Sequence, residues 1–172
     1  MVLDPRRLIA FDFPEIEQEL TARDASLYAL GVGLGDAPLD PERLKYINEQ
    51  DPAFRAAPTQ PTTMGFQRWV LRPEFGADVT RVVHGEERLT LHRPAPTAGR
   101  IRAKLRILGV ADKGEGRGAV VSARREIRGA DGDAPFAPGG SPSVRRGEGG
   151  CGDAGEVARL GGPGPGRAPD RA

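Results

Sequence analysis

Two runs of alternating residues, 100–107 and 119–127, constrain this chain more than any other feature. In the first, Ile101, Ala103, Leu105 and Ile107 point one way while Arg100, Arg102, Lys104 and Arg106 point the other. Alternation with a period of two belongs to a β-strand with one buried and one wet face. In the second run Ala119, Val121, Ala123 and Ile127 share one side, and Ser122, Arg124 and Glu126 the other. Only Arg125 breaks the pattern. The runs are joined by Asp112-Lys-Gly-Glu-Gly-Arg-Gly118, and four glycines over 109–118 supply the positive φ that a hairpin connection needs. A third apolar run upstream, Val79 to Arg93, ends in a Pro-Ala-Pro-Thr-Ala-Gly turn. The stretch Val79–Ile127 is therefore expected to form an antiparallel sheet.

A chain of 172 residues has the length of one domain. Its glycines and prolines are unevenly spread: they fill 16 of the 36 positions in 137–172, where the only large apolar residues are Val144, Val157 and Leu160. Such a segment cannot bury enough surface to offset its ordering entropy, so disorder is expected there and the core is expected within 1–136. Net charge is only +1. Its distribution is less even: 1–60 carry 11 acidic and 6 basic side chains, and 81–128 carry 5 acidic and 12 basic. A basic sheet face can attract phosphates, or its Arg and Lys can simply solvate the outer surface. The single cysteine, Cys151, excludes an internal disulfide and a Cys-based metal site, and fits a reducing compartment. No run approaches the ~20 apolar residues of a membrane helix, and the N-terminus is too acidic for a signal peptide. A soluble, cytoplasmic protein without nucleic-acid or membrane partners is expected.

In chain order, Leu8–Phe13 is a short apolar opening closed by Pro14, and Glu15–Leu20 is acidic. Thr21-Ala-Arg-Asp24 is a capping box with Asp in the place of Glu, expected to open a helix over Ala22–Leu30 with Leu27, Tyr28 and Leu30 as apolar anchors. Gly31-Val-Gly-Leu-Gly35 should stop it. A Gly-x-Gly-x-Gly that follows a helix does not join a strand to a helix, so it is no dinucleotide fingerprint. Asp40-Pro41-Glu42 starts a second helix, Pro41–Asn48, with Leu44 and Ile47 inward. Prolines 52, 58 and 61 make 51–63 loop or extended chain. From Thr62 to Leu71, Met64, Phe66, Trp69 and Val70 have helical spacing and form the candidate central helix. The alternative is a loop in which Trp69 packs on the sheet.

Four separated motifs together resemble a known family. They are Asp24-Ala-Ser-Leu-Tyr-Ala-Leu-Gly-Val-Gly33, Val83-His-Gly-Glu-Glu87, Leu91-His-Arg-Pro94 and Asp112-Lys-Gly-Glu-Gly-Arg-Gly-Ala-Val-Val121. In this order they resemble the N-terminal half of MaoC-like dehydratases, the enoyl-CoA hydratase 2 group that includes the hydratase region of peroxisomal multifunctional enzyme type 2. The resemblance covers about residues 10–136. It implies an α+β hot-dog domain, a curved antiparallel sheet around a central helix, and full-length members carry two such units. It also implies reversible hydration of a trans-2-enoyl-CoA to a (3R)-3-hydroxyacyl-CoA, with coenzyme A thioester as substrate and no further cofactor.

The family's catalytic Asp and His lie in the second unit, in a Gly-Asp-x-Asn-Pro-(apolar)-His motif. The only histidines here are His84 and His92, and neither follows Asn-Pro. Arg146-Gly-Glu-Gly-Gly-Cys-Gly152 is an altered echo of the family's Arg-Gly-x-Gly-Gly-Phe-Gly segment. The expected function is thus an acyl-CoA-accommodating half of an (R)-specific hydratase, without its catalytic unit. The alternatives are a non-enzymatic acyl-CoA-binding module and an inactive fragment.

The candidate binding residues for coenzyme A or its acyl chain are His84, Gly85, Glu86, Arg93 and Lys113, and no metal site is expected. Against this, His84 reads more simply as a hydrogen-bonded histidine at a strand end, and Lys113 as part of a solvated turn. His92 is expected to be a solvated strand residue. Adjacent Glu86 and Glu87 face opposite sides of a strand, a poor geometry for shared acid–base work. Hot-dog units pair, so a homodimer or a partner chain with the catalytic unit is expected.

Overall fold

The computed structural model describes residues 3–114 and 117–129, and the backbone of 137–145. Its centre is the expected hairpin. β4 (Gly99–Asp112) pairs antiparallel with β5 (Ala119–Gly129), from Ile101 opposite Gly129 to Asp112 opposite Ala119. Ile101, Ala103, Leu105, Ile107, Ala119, Val121, Ala123 and Ile127 are all buried, as the alternation requires. A register shift between Ile107 and Gly109 marks a bulge, which bends the strand and lets it wrap what lies on its apolar face. Gly114 and Gly118 carry the positive φ of the connection.

The other strands extend this pair on both sides. β1 (Ile16–Leu20) lies against β4, and β6 (Ala137–Arg145) lies between β5 and the short β2 (Val82–His84). A two-residue β3 (Arg88–Leu89) also pairs with β6, and every pairing is antiparallel. The expected strand over 79–93 is therefore broken into β2 and β3, preceded by a 3-10 turn at Val79–Arg81.

β6 moves the end of the sheet past the expected boundary at residue 136. Ala-Pro-Gly-Gly-Ser-Pro-Ser-Val-Arg has little intrinsic strand preference, which is why its sequence reads as tail. Pairing on two sides compensates for that. Pro138 and Pro142 fall at positions that β2 and β3 leave unpaired, where a residue without an N–H is tolerated. The rest of the expected disordered tail, with Cys151 and the segment Arg146–Gly152, lies outside the described residues.

β1 was legible only as an acidic stretch, and its charge explains the pairing. Glu17 stands directly opposite Arg102 in the β1–β4 register, and the Arg102 guanidinium donates to Glu17 Oε1 at 2.8 Å. Lys104 Nζ reaches Asp12 Oδ1 at 2.7 Å and holds that carboxyl below its ordinary range. The acidic N-terminal region and the basic middle thus meet on the outer face, which leaves β4 a partly neutralised surface and not a bare cationic stripe.

Helices sit around the sheet. α1 (Pro5–Ala10) is capped by Asp4 and packs on β4 through fully buried Leu8. α2 (Ala22–Gly31) opens on the expected capping box, with Asp24 N donating to Thr21 Oγ1 at 3.2 Å and Thr21 N to Asp24 Oδ2 at 2.8 Å. Its anchors differ from expectation. Ala25, Ser26 and Ala29 are buried, whereas Leu27 and Leu30 are about half exposed and Tyr28 is half-buried. The inward face meets α3 (Pro41–Ile47) and the turn at Gln60–Thr62 through small residues, which permit close approach. Leu44 and Ile47 are half-buried on α3.

The central helix expected over Thr62–Leu71 is absent. Two 3-10 turns, Gln60–Thr62 and Trp69–Leu71, flank an irregular piece, and Trp69 packs on the sheet as the alternative reading had it. Gly65 explains why. Its φ of +59° cannot continue a right-handed helix, and its N–H donates to Gln18 Oε1 at 2.7 Å instead of to a carbonyl one turn back. Its missing side chain lets the backbone lie on Ala103, where a Cβ would collide.

Candidate functional site

The apolar face of β4 and β5 would be continuous but for one residue. Arg125 lies on the same side as Ala123 and Ile127, with only 11% of its side chain exposed. A guanidinium taken out of water costs several kcal/mol unless partners replace the hydration. Its partners come from two directions. Arg125 Nη2 donates to the carbonyls of Thr62 at 2.7 Å and Pro61 at 3.3 Å, and lies 3.8 Å from Glu87 Oε1. Phe66 covers it, ring centroid 5.7 Å from Cζ. Nε is buried with no hydrogen-bond partner, and an unsatisfied donor of this kind costs about 1–3 kcal/mol. Burial pulls the guanidinium's pKa down from its ordinary value, and the charge of Glu87 opposes that.

Arg125 is one wall of a cavity of about 270 Å³ between the sheet and the covering segment. Phe66, Trp69, Val70, Val82, Leu105 and Ala123 make it mainly apolar. Gln67, His84 and Glu87 join Arg125 as its polar groups. The Gln67 amide nitrogen is turned toward the backbone, 2.9 Å from Pro14 O and 3.5 Å from Ala103 O. His84 Nε2 is 3.0 Å from Glu87 Oε2. Glu87 therefore stands between an imidazole and a guanidinium, one oxygen toward each. The volume lies just under the ~300–1,000 Å³ of pockets that take whole small molecules. It suits a short apolar segment of a larger ligand.

The five candidate residues are not brought together. His84 lines the cavity, whereas Gly85 is exposed in the connection after β2. Glu86 points away and pairs with Arg88 at 2.9 Å, so the carboxylate on the cavity side is Glu87, the neighbour the reading passed over. Arg93 is exposed in the turn after β3, beside exposed His92. His92 lies outside any strand, in the turn where Pro94 and Pro96 limit pairing. Lys113 is exposed at the start of the β4–β5 loop, eight residues along the strand from Leu105, or roughly 25 Å at ~3.3 Å per residue. The signal for the missed residues was Arg125 itself: a cation interrupting an apolar face requires an acid and carbonyls opposite it. Among the described residues, no group of three or more His, Cys, Asp or Glu could hold a metal ion. No described helix is long and apolar enough to cross a membrane.

Comparison with known proteins places this geometry. The family model described as the MFE-2 hydratase 2 N-terminal domain matches residues 18–135. The 3-hydroxyacyl-thioester dehydratase Y of Mycobacterium tuberculosis is 32% identical over 163 residues, covering 90% of this chain and 52% of that protein. Enoyl-CoA hydratase ChsH3 of the same organism is 29% identical over 124 residues, covering 67% of this chain and 41% of the relative. The chain thus spans about half the length of the curated relatives it matches. Among solved structures, a MaoC-like dehydratase from Phytophthora capsici superposes with a TM-score of 0.68 at 22% identity, over 96% of this chain and 56% of the other. The fold is the hot-dog fold.

Proposed function

This chain belongs to the MFE-2 hydratase 2 N-terminal domain family, and on that footing we propose that it is the acyl-accommodating half of an (R)-specific 2-enoyl-CoA hydratase or 3-hydroxyacyl-CoA dehydratase. The observation that carries the proposal is the cavity between Trp69, Leu105 and Ala123, which is mainly apolar and too small for a whole coenzyme. The acyl segment of a coenzyme A thioester enters it from the side of β2. His84 lines the pocket, while Gly85, Glu86 and Arg93 meet the ligand's outer part. Lys113, at the far end of the hairpin, is left to a phosphate contact.

Hydration of an enoyl thioester needs a base to activate water and an acid to protonate the α-carbon. The cavity's titratable pair is a poor source of both. Glu87 is fixed between His84 and Arg125, and its carboxylate is engaged at both oxygens. The Asp–His pair of the reaction is therefore assigned to a second hot-dog unit, on the same polypeptide or on a partner. In this arrangement the present unit supplies binding energy and orientation, and the other supplies proton transfer.

Trp69 is the only tryptophan in the chain and lines the cavity, so its fluorescence reports occupancy directly. Acyl-CoAs of increasing length should give a saturable change that grows with the chain, and free coenzyme A should give none. The chain alone should not hydrate crotonyl-CoA. Absence of any Trp69 response at every chain length would remove the acyl-binding reading. Turnover by the isolated chain would remove the division of labour.

A further inference from the structure

Arg125 holds the covering segment through the Thr62 and Pro61 carbonyls, and it also puts a charge into the wall of a mainly apolar pocket. An apolar residue at position 125 would continue the face of Ala123 and Ile127 and would need no partners. Here the cavity wall instead combines a donor, Arg125, with an acceptor, Glu87, 3.8 Å from that guanidinium. We propose that this wall selects acyl chains that carry a neutral oxygen function, a hydroxyl or a carbonyl, beyond the reacting carbons.

The charges on the wall decide the chemistry. The guanidinium and the Glu87 carboxylate neutralise each other locally, so a ligand carboxylate would gain the arginine and face the glutamate. A hydroxyl fits both, because its oxygen accepts from Arg125 and its proton goes to Glu87. A carbonyl uses the first contact alone. His84, on the other side of Glu87 at 3.0 Å, fixes the carboxylate's position. The apolar walls at Phe66, Val70 and Leu105 still hold the hydrocarbon on either side of the oxygen. Chains lacking the oxygen make neither contact and bind more weakly.

This selection rests on the acyl-accommodating reading above, and the test separates the two. Octanoyl-CoA is compared with octanoyl-CoAs carrying a hydroxyl at successive carbons beyond the β-carbon, and with an octanedioic mono-thioester, using Trp69 fluorescence. At one position the hydroxylated ligand should bind about ten-fold tighter than the unsubstituted one, and the carboxylate should gain nothing. Arg125→Met should bring the ratio of the two affinities to about one, whatever the change in octanoyl-CoA binding itself. If Arg125→Met does not fold, Glu87→Gln serves: it should weaken the hydroxylated ligand selectively. Binding of octanoyl-CoA with no preference at any hydroxyl position overturns the selection alone. An equal loss for both ligands in either variant overturns it as well. Failure of every acyl-CoA to bind removes both readings.

Discussion

One sheet face carries two apolar clusters that differ in how they are closed. Toward one end, Leu20, Met64, Ile101, Ala103 and Ile127 form one buried cluster. There Gly65 brings the backbone itself down onto Ala103. Toward the other end, Trp69, Phe75, Leu105, Ile107 and Ala123 belong to a larger cluster that also takes in Leu8 and Phe13. Its rim is aromatic: Phe11 packs edge-on against Phe13 at 4.8 Å and Phe75 at 5.2 Å, with the Arg72 guanidinium 4.5 Å above Phe11. This second cluster contains the cavity, and Arg125 marks the border between the two. The lesson is that a single strand pair supports both a close-packed anchor and an open pocket. What differs is the covering segment: a glycine seals one end and bulky rings bridge the other.

The largest effect should come from removing the bridge. Phe75 is fully buried and touches both other phenylalanines. Phe75→Ala should destabilise the fold by about 3–5 kcal/mol, read as a lower denaturant midpoint. A loss under about 1 kcal/mol would mean that the aromatic rim does not hold the second cluster together.

The comparison is sharpened by making one substitution at both ends. Ala103 and Ala123 are both buried on the same face, but only Ala123 borders the cavity. Ala103→Leu drives a side chain into the backbone at Gly65 and should cost about 1–3 kcal/mol. Ala123→Leu has room, so it should change stability by less than about 1 kcal/mol and abolish the Trp69 response to acyl-CoA. Equal destabilisation at the two sites would show that the ends are packed alike.

The smallest effect lies outside both clusters, at the start of α2. Thr21→Ala removes the side-chain cap and should cost about 1 kcal/mol. The Thr21 backbone and side chain hold the Asp24 carboxyl below its ordinary value of 3.8. A depressed carboxylate stabilises the fold fully above its unfolded value, and that contribution is lost as pH falls through the folded value. The penalty of Thr21→Ala should therefore shrink below about pH 4, with no change between pH 5 and 8. Acid titration of the unfolding midpoint in both proteins tests this, and a penalty independent of pH would break the reading of the cap. Acyl-CoA binding should be untouched.

Much of this architecture was legible before any coordinates. Ile101 to Ile107 and Ala119 to Ile127 announced their buried faces by alternation, and Thr21 and Asp24 announced a helix start. Leu27 and Leu30 misled, because an amphipathic reading favours large residues over the small ones that pack closely. Met64, Phe66, Trp69 and Val70 misled for a different reason: their spacing is helical, but Gly65 is pinned by Gln18 and Ala103, both remote in sequence. The candidate site was half visible. His84 was singled out, whereas Glu87 was passed over for Glu86, because the two carboxylates differ only in what lies across from them.

By itself the sequence determined the apolar face of the β4–β5 hairpin, where α2 and α3 begin and where the hairpin turns. Each depends on residues within a few positions of one another, through backbone sterics, period and local hydrogen bonds. Only the tertiary structure decided what lies on the apolar face, which acid answers Arg125, and that Ala137–Arg145 joins the sheet. Those outcomes rest on contacts between distant parts of the chain. Buried charge and close packing select the partner there, and no local pattern records the choice.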